Sequence, residues 1–211
     1  MDFYLRIMLG VLPRFDHLID TLHQPIIGLS QNTKNLKPTK NVHVPLMDKI
    51  NMKKIKIESD LEVYDDLNEL SEEIQSLMND AFEARDNAYA PYSEFHVGAA
   101  ILLENGAVIK GSNQENASYP SGLCAERTAI YYAGANYPGT AIKAIAISAK
   151  AKNKPTLTPI PPCGACRQAI AEYEVKQKAP IALYFMGESG KVLKSDSLEN
   201  LLPLLFTQDY L

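Results

Sequence analysis

From Asp66 onward, apolar residues recur at helical spacing: Leu67, Leu70, Ile74, Leu77, Ala81, Phe82 and Ala88 share one face, with Glu and Asp between them. That period predicts an amphipathic first helix, and Pro91 is expected to stop it. Residues 97–103 are an unbroken apolar run that reads as a buried strand. Asn105-Gly106 is expected to form a type I′ hairpin turn into a partner strand over 107–111. A loop rich in Asn and Ser follows, then a helix over 126–135 and an apolar strand over 142–149. The Pro-rich stretch 155–162 reads as a stiff loop, leading to a helix over 164–173 and a strand over 181–186. A short strand near Val192 and an apolar segment over 198–206 complete the pattern. Helices alternating with strands after an opening hairpin predict an α/β fold. The expected architecture is a three-layer α/β/α sandwich around a mixed central sheet of about five strands.

Residues 1–51 read differently. They lack a sustained period, end in a Lys/Asn/Thr/Pro tract over 32–40, and hold three of the four histidines. They are expected to be an N-terminal extension, disordered or upstream of a native start at Met47 or Met52, with residues 52–211 as the functional domain. A chain of 211 residues, 46% of them hydrophobic, can bury one well-formed core. Its formal charge is −4, and the extension carries six Lys/Arg against four Asp/Glu, so the remainder is at −6. An acidic body argues against a nucleic-acid partner, which needs a basic stripe. Asp2 comes early and Arg6 interrupts the apolar stretch around residues 7–12, which argues against a secretion signal, and no run approaches the ~20 apolar residues of a membrane span. The three cysteines are an odd number with no disulfide framework, which points to a reducing cytoplasm.

All three cysteines fall in two short segments, Cys124-Ala125-Glu126 and Pro162-Cys163-Gly164-Ala165-Cys166. Three thiolates can hold one Zn²⁺ per subunit and leave a fourth position open, as a catalytic zinc requires. Glu126 stands two residues after the first ligand, where one helical turn aims a carboxylate at that position. Each cysteine element is expected at a helix N-terminus, whose dipole favours thiolate. Three thiolates on zinc carry a net −1, and Arg127 and Arg167, each following a motif residue, are candidates to offset it through bonds to sulfur. A structural zinc knot would need a fourth ligand, and His96 is the lone histidine outside the extension. A redox Cys-x-x-Cys pair would leave Cys124 and Glu126 unexplained.

A metal-ligating residue, x-Glu and then Pro-Cys-x-x-Cys is the signature of zinc nucleobase deaminases. The likeness extends to Ala90-Pro91-Tyr92-Ser93-Glu94-Phe95-His96-Val97-Gly98-Ala99-Ala100 and to the stretch from Gly111-Ser112-Asn113-Gln114-Glu115-Asn116 through Ala117-Ser118-Tyr119-Pro120. Together with Cys124-Ala125-Glu126-Arg127-Thr128 and Pro162-Cys163-Gly164-Ala165-Cys166-Arg167-Gln168, these segments resemble the small, homotetrameric, three-cysteine cytidine deaminases. The resemblance covers approximately residues 67–206. It implies that Asn113 and Glu115 bond the ribose hydroxyls, that Phe95 packs on the nucleoside, and that Ala125 offers its backbone to the pyrimidine edge. It also implies that Tyr119 reaches a neighbouring subunit's site and that Phe206 stacks on the base. In the family that phenylalanine is usually followed by Gly-Pro, whereas Thr207-Gln208 stands here.

The activity this implies is hydrolytic deamination of cytidine and 2′-deoxycytidine, serving pyrimidine salvage. In it Glu126 would take a proton from a zinc-activated water, deliver it to the ring nitrogen and help protonate the departing amine. One alternative is deamination of a cytosine-bearing antibiotic such as blasticidin S, against which the Asn113-x-Glu115 sugar pair argues. Another is a catalytically silent zinc module, which would have no need of Glu126.

Overall fold

The computed structural model describes residues 52–211, so the expectations for residues 1–51 lie outside the described residues. Six strands form one mixed sheet: β1 (Glu62–Tyr64), β2 (Phe95–Leu103), β3 (Val108–Ser112), β4 (Ile142–Ala151), β5 (Ala182–Met186) and β6 (Val192–Ser195). Their order across the sheet is β1-β6-β5-β4-β2-β3. The β4–β5 pair is parallel and the other pairings are antiparallel. Three helices cover it: α1 (Glu72–Asp86), α2 (Ala125–Asn136) and α3 (Gly164–Gln177).

Period-two alternation of side chains along a strand feeds two cores from one sheet. Ala99, Ile101 and Leu103 of β2, with Ile145 and Ile147 of β4 and Leu183 and Phe185 of β5, pack with Ala129 and Ile130 of α2 and Ile170 of α3. The alternate residues Ala100, Leu102, Ala144, Ala146, Tyr184 and Met186 pack with Ile74, Leu77, Met78 and Ala81 of α1. With α1 on one face and α2 and α3 on the other, the molecule is the α/β/α sandwich that its patterning predicted. Unbroken apolar strands are what a sheet buried on both faces demands.

Three local expectations are corrected. The sheet has six strands, because Glu62–Tyr64 pairs along the edge of β6; three mostly exposed residues carry no alternation from which to read a strand. The first helix does not run from Leu67 to Pro91. Asp66 accepts the Asn68 N–H and caps a separate 3₁₀ turn, Leu67–Glu69, and α1 ends at Asp86, five residues short of Pro91. What ends it is tertiary: Tyr89 N–H donates to Asn113 O at 2.9 Å and Tyr89 O accepts Glu115 N–H at 2.8 Å, so the loop after β3 captures the chain. The β2–β3 turn is not type I′ either. That turn needs positive φ at both central residues, and here Gly106 alone takes one, +84°. Gly106 N–H closes on Leu103 O at 3.0 Å around Glu104 and Asn105, and Asn105 Oδ1 accepts the Ala107 N–H, the geometry of a three-residue loop with a left-handed glycine.

Candidate active site

Strand direction decides where the two cysteine segments meet. β2 is antiparallel to both β3 and β4, so β3 and β4 run the same way, and each is followed by a helix. The N-termini of α2 and α3 therefore emerge at the same end of the sheet. Cys124 is the N-cap of α2 and Cys163 the N-cap of α3, both in extended backbone and neither using its sulfur as a cap. Their carbonyls accept the first helical bonds, from Thr128 and Arg167 N–H, and the sulfurs are left to face one another. Gly111 brings α2 this close to the sheet. A Cβ there would lie 2.5 Å from Ala125 O and 2.7 Å from Ala129 N, inside the helix backbone.

The Sγ atoms of Cys124 and Cys163 are 3.8 Å apart and those of Cys163 and Cys166 3.5 Å; all three lie within 4.8 Å of one another. Cys166 is fully buried and Cys163 is exposed. The neighbouring Cys166 thiol favours a thiolate at Cys124 and, against the opposing effect of burial, lowers the Cys124 pKa to about 5. The same pairing, with burial and the nearby Glu126 charge, pushes Cys166 well above the usual thiol range. Three sulfurs this crowded can ionise together only around a cation. Soft thiolates select zinc among common divalent ions, and three protein ligands leave its fourth position open. The donor set fits zinc.

Glu126, in the first turn of α2, is 4% exposed. Burial, assisted by the Cys124 charge, pushes its carboxyl up to about 7. A carboxyl poised near neutrality can both accept and return a proton, which suits general acid–base work.

The two arginines part company. Arg127 Nη2 donates to Cys124 Sγ at 3.9 Å. Arg167 does not reach sulfur: its Nε donates to Pro162 O and its Nη1 to Leu201 O, both at 2.8 Å. Arg167 is corrected from a tuner of sulfur charge to a brace between the cysteine loop and the C-terminal segment, because these two carbonyls take its donors.

A cavity of about 230 Å³ opens beside Cys124 and Arg127 and is lined by Asn113, Glu115, Asn116 and Tyr119. Five sequence candidates, Asn113, Glu115, Tyr119, Cys124 and Arg127, are thus brought together, and Asn116 joins them from the same loop. Asn113 Oδ1 accepts the Val97 N–H at 2.8 Å while its Nδ2 donates to Phe95 O at 2.9 Å. Glu115 accepts the backbone N–H groups of Tyr92 and Ser93. Hydrogen bonds from Ser93 and these N–H groups outweigh desolvation and hold its carboxyl below the usual range. Ser93, assigned no role from sequence, is a residue that reading missed; its signal was its place two positions before Phe95, where a serine oxygen can accept the Phe95 N–H. Ala125 is fully buried at the start of α2, and Tyr119 is 60% exposed, its ring edge-on to Tyr92 at 6.3 Å. Phe206 is held by its carbonyl, which accepts from Gln168 Nε2, and its ring stacks on Tyr210 at 5.8 Å.

Residues 71–180 match the family described as "Cytidine and deoxycytidylate deaminase zinc-binding region". The chain is 42% identical over 135 residues to a cytidine deaminase of Halalkalibacterium halodurans, covering 64% of this chain and 95% of that one. A blasticidin-S deaminase of Bacillus cereus aligns at 29% over 119 residues, 56% of this chain and 81% of that one. Among solved structures, the cytidine deaminase of Burkholderia pseudomallei superposes with a TM-score of 0.55 at 40% identity, covering 65% of this chain and all (100%) of that one. With its three sulfurs and buried glutamate on the helices that this match spans, the chain belongs to the cytidine and deoxycytidylate deaminase family.

Proposed function

We propose that the protein hydrolyses cytidine and 2′-deoxycytidine to uridine and 2′-deoxyuridine, releasing ammonia. The observation that carries this reading is the buried Glu126 beside three convergent sulfurs, one of which, Cys124, lines a cavity together with Asn113 and Glu115. Zinc bound by Cys124, Cys163 and Cys166 would supply the Lewis acidity that makes a water nucleophilic near neutral pH. Glu126 accepts a proton of that water and delivers it to the pyrimidine ring nitrogen as the water oxygen bonds to the neighbouring amine-bearing carbon. It then helps move the second proton to the amine, the C–N bond breaks and ammonia leaves. Arg127 offsets part of the negative charge of the sulfur cluster. Asn113 and Glu115 accept the sugar hydroxyls, Phe95 packs on the nucleoside, and the Ala125 backbone meets the pyrimidine edge. Identity of 42% to a cytidine deaminase against 29% to a blasticidin-S deaminase supports a nucleoside over the antibiotic.

In the same reading the enzyme is a cytoplasmic homotetramer of pyrimidine salvage, with residues 52–211 as its catalytic domain. Tyr119 reaches a neighbour's site, and Phe206 meets the base once subunits assemble. The exposure of both rings, 60% and 57%, supports that role. Free nucleosides suit its acidic surface better than nucleic acid does, and no helix among the described residues is long and apolar enough to cross a membrane. Incubating purified, zinc-loaded protein with cytidine and following ammonia tests the assignment directly. Release of ammonia is expected, and its absence would reject the reading.

A further inference from the structure

One hydroxyl ties together two residues assigned to the nucleoside, the Glu115 carboxylate and the Phe95 backbone. Ser93 Oγ–H donates to Glu115 Oε1, and the same oxygen accepts the Phe95 N–H at 3.0 Å. Glu115 Oε2 is taken by the Tyr92 N–H at 2.9 Å and the Ser93 N–H at 3.2 Å. Asn113 holds the other side of Phe95 by accepting from Val97 N–H and donating to Phe95 O. Between them Glu94 is left-handed, φ 51°, a conformation that a non-glycine residue keeps only where its surroundings hold it. Lys152 and Asn153 supply that hold: Lys152 N–H donates to Glu94 O at 3.0 Å, and the two side chains reach the Glu94 carboxylate at 2.5 and 2.8 Å.

A carboxylate offers about four lone-pair sites. Two bonds occupy Oε2 of Glu115 and one occupies Oε1, so one acceptor site remains, on the oxygen that Ser93 binds. We propose that Ser93 is a positioning residue for sugar recognition, aiming that last acceptor site of Glu115 at a sugar hydroxyl while fixing the backbone of Phe95. The inference rests on the nucleoside reading above and extends it to a residue that touches no reacting atom.

The test is steady-state kinetics of the zinc-loaded full chain with cytidine and with 2′,3′-dideoxycytidine, which lacks the sugar hydroxyls at issue. Ser93→Ala should raise KM for cytidine about tenfold, the scale of one hydrogen bond to a charged group, with kcat within about twofold of the parent. KM for the dideoxy substrate should rise no more than about threefold, through Phe95 alone. Ser93→Thr keeps the hydroxyl and should restore the cytidine KM. Equal losses on both substrates, no loss on either, or failure of threonine to rescue would overturn the role of Ser93. A parent enzyme that releases no ammonia from cytidine would overturn the nucleoside reading itself, and a working parent separates the two.

Discussion

Cys124 and Glu126 stand two positions apart on α2 and are pushed in opposite directions. The neighbouring Cys166 thiol lowers the one, and burial raises the other. For Glu126 the linkage runs against stability at high pH. Its folded pKa of about 7 lies above the ordinary glutamate value of 4.5, so the folded state favours the neutral acid, and stability falls as pH rises from the unfolded pKa through the folded one. In the metal-stripped protein Glu126→Gln should therefore raise Tm at pH 8, toward a ceiling of roughly 3 kcal/mol, with most of that gain absent at pH 5. A gain independent of pH would show that the carboxylate is not strained by burial. In the zinc-loaded enzyme Glu126→Ala should keep close to one zinc per chain while kcat falls at least ~10²–10⁴-fold. Cys163→Ala should lose zinc and stability together, because metal binding adds to folding. Metal analysis beside ammonia release separates these outcomes.

At the scale of elements, the site depends on how closely α2 lies on β3. Gly111→Ala places a Cβ inside the backbone of Ala125 and Ala129, so the helix must shift and carry Cys124 and Glu126 with it. A loss of about 1–3 kcal/mol is expected, with a fall in activity in the molecules that remain folded. Gly164 is the control at the other helix start: a Cβ there meets no atom within 4 Å. Gly164→Ala should leave Tm unchanged or raise it by up to ~1 kcal/mol of stability. Urea melts of the two variants test both, and a neutral Gly111→Ala would contradict the close contact. The hydrogen bonds of Arg167 belong to this scale too, since they tie the start of α3 to Leu201 O.

At the scale of the whole molecule, assembly and the N-terminal extension are open to direct test. If Tyr119 completes a neighbour's site, Tyr119→Ala should lower kcat/KM while zinc content stays at one per chain. Light scattering of the parent should show a tetramer, and a fully active monomer would remove the idea. A chain beginning at Met52 should turn over cytidine at the parent rate, because the described residues, all from Met52 on, already form both cores and the sulfur trio. A large loss on truncation would make residues 1–51 integral.

The sequence alone was enough to determine the sandwich and the chemistry. Period and alternation are local consequences of backbone geometry, so residues 97–103 and 142–149 read as strands buried on both faces, and Ile74, Leu77 and Ala81 as a helix face. The metal trio was legible because ligand type and close spacing, Cys163 to Cys166 and Cys124 to Glu126, are local as well. Only the tertiary structure decided what depended on distant partners. It ended α1 at Asp86, where the loop at Asn113 and Glu115 takes the Tyr89 backbone. It committed Arg167 to the Leu201 carbonyl instead of sulfur, and it joined Ser93 to Glu115 across 22 positions of chain. A side chain's hydrogen bonds go to whichever acceptors the fold brings within about 3 Å, and sequence neighbours do not decide which those are.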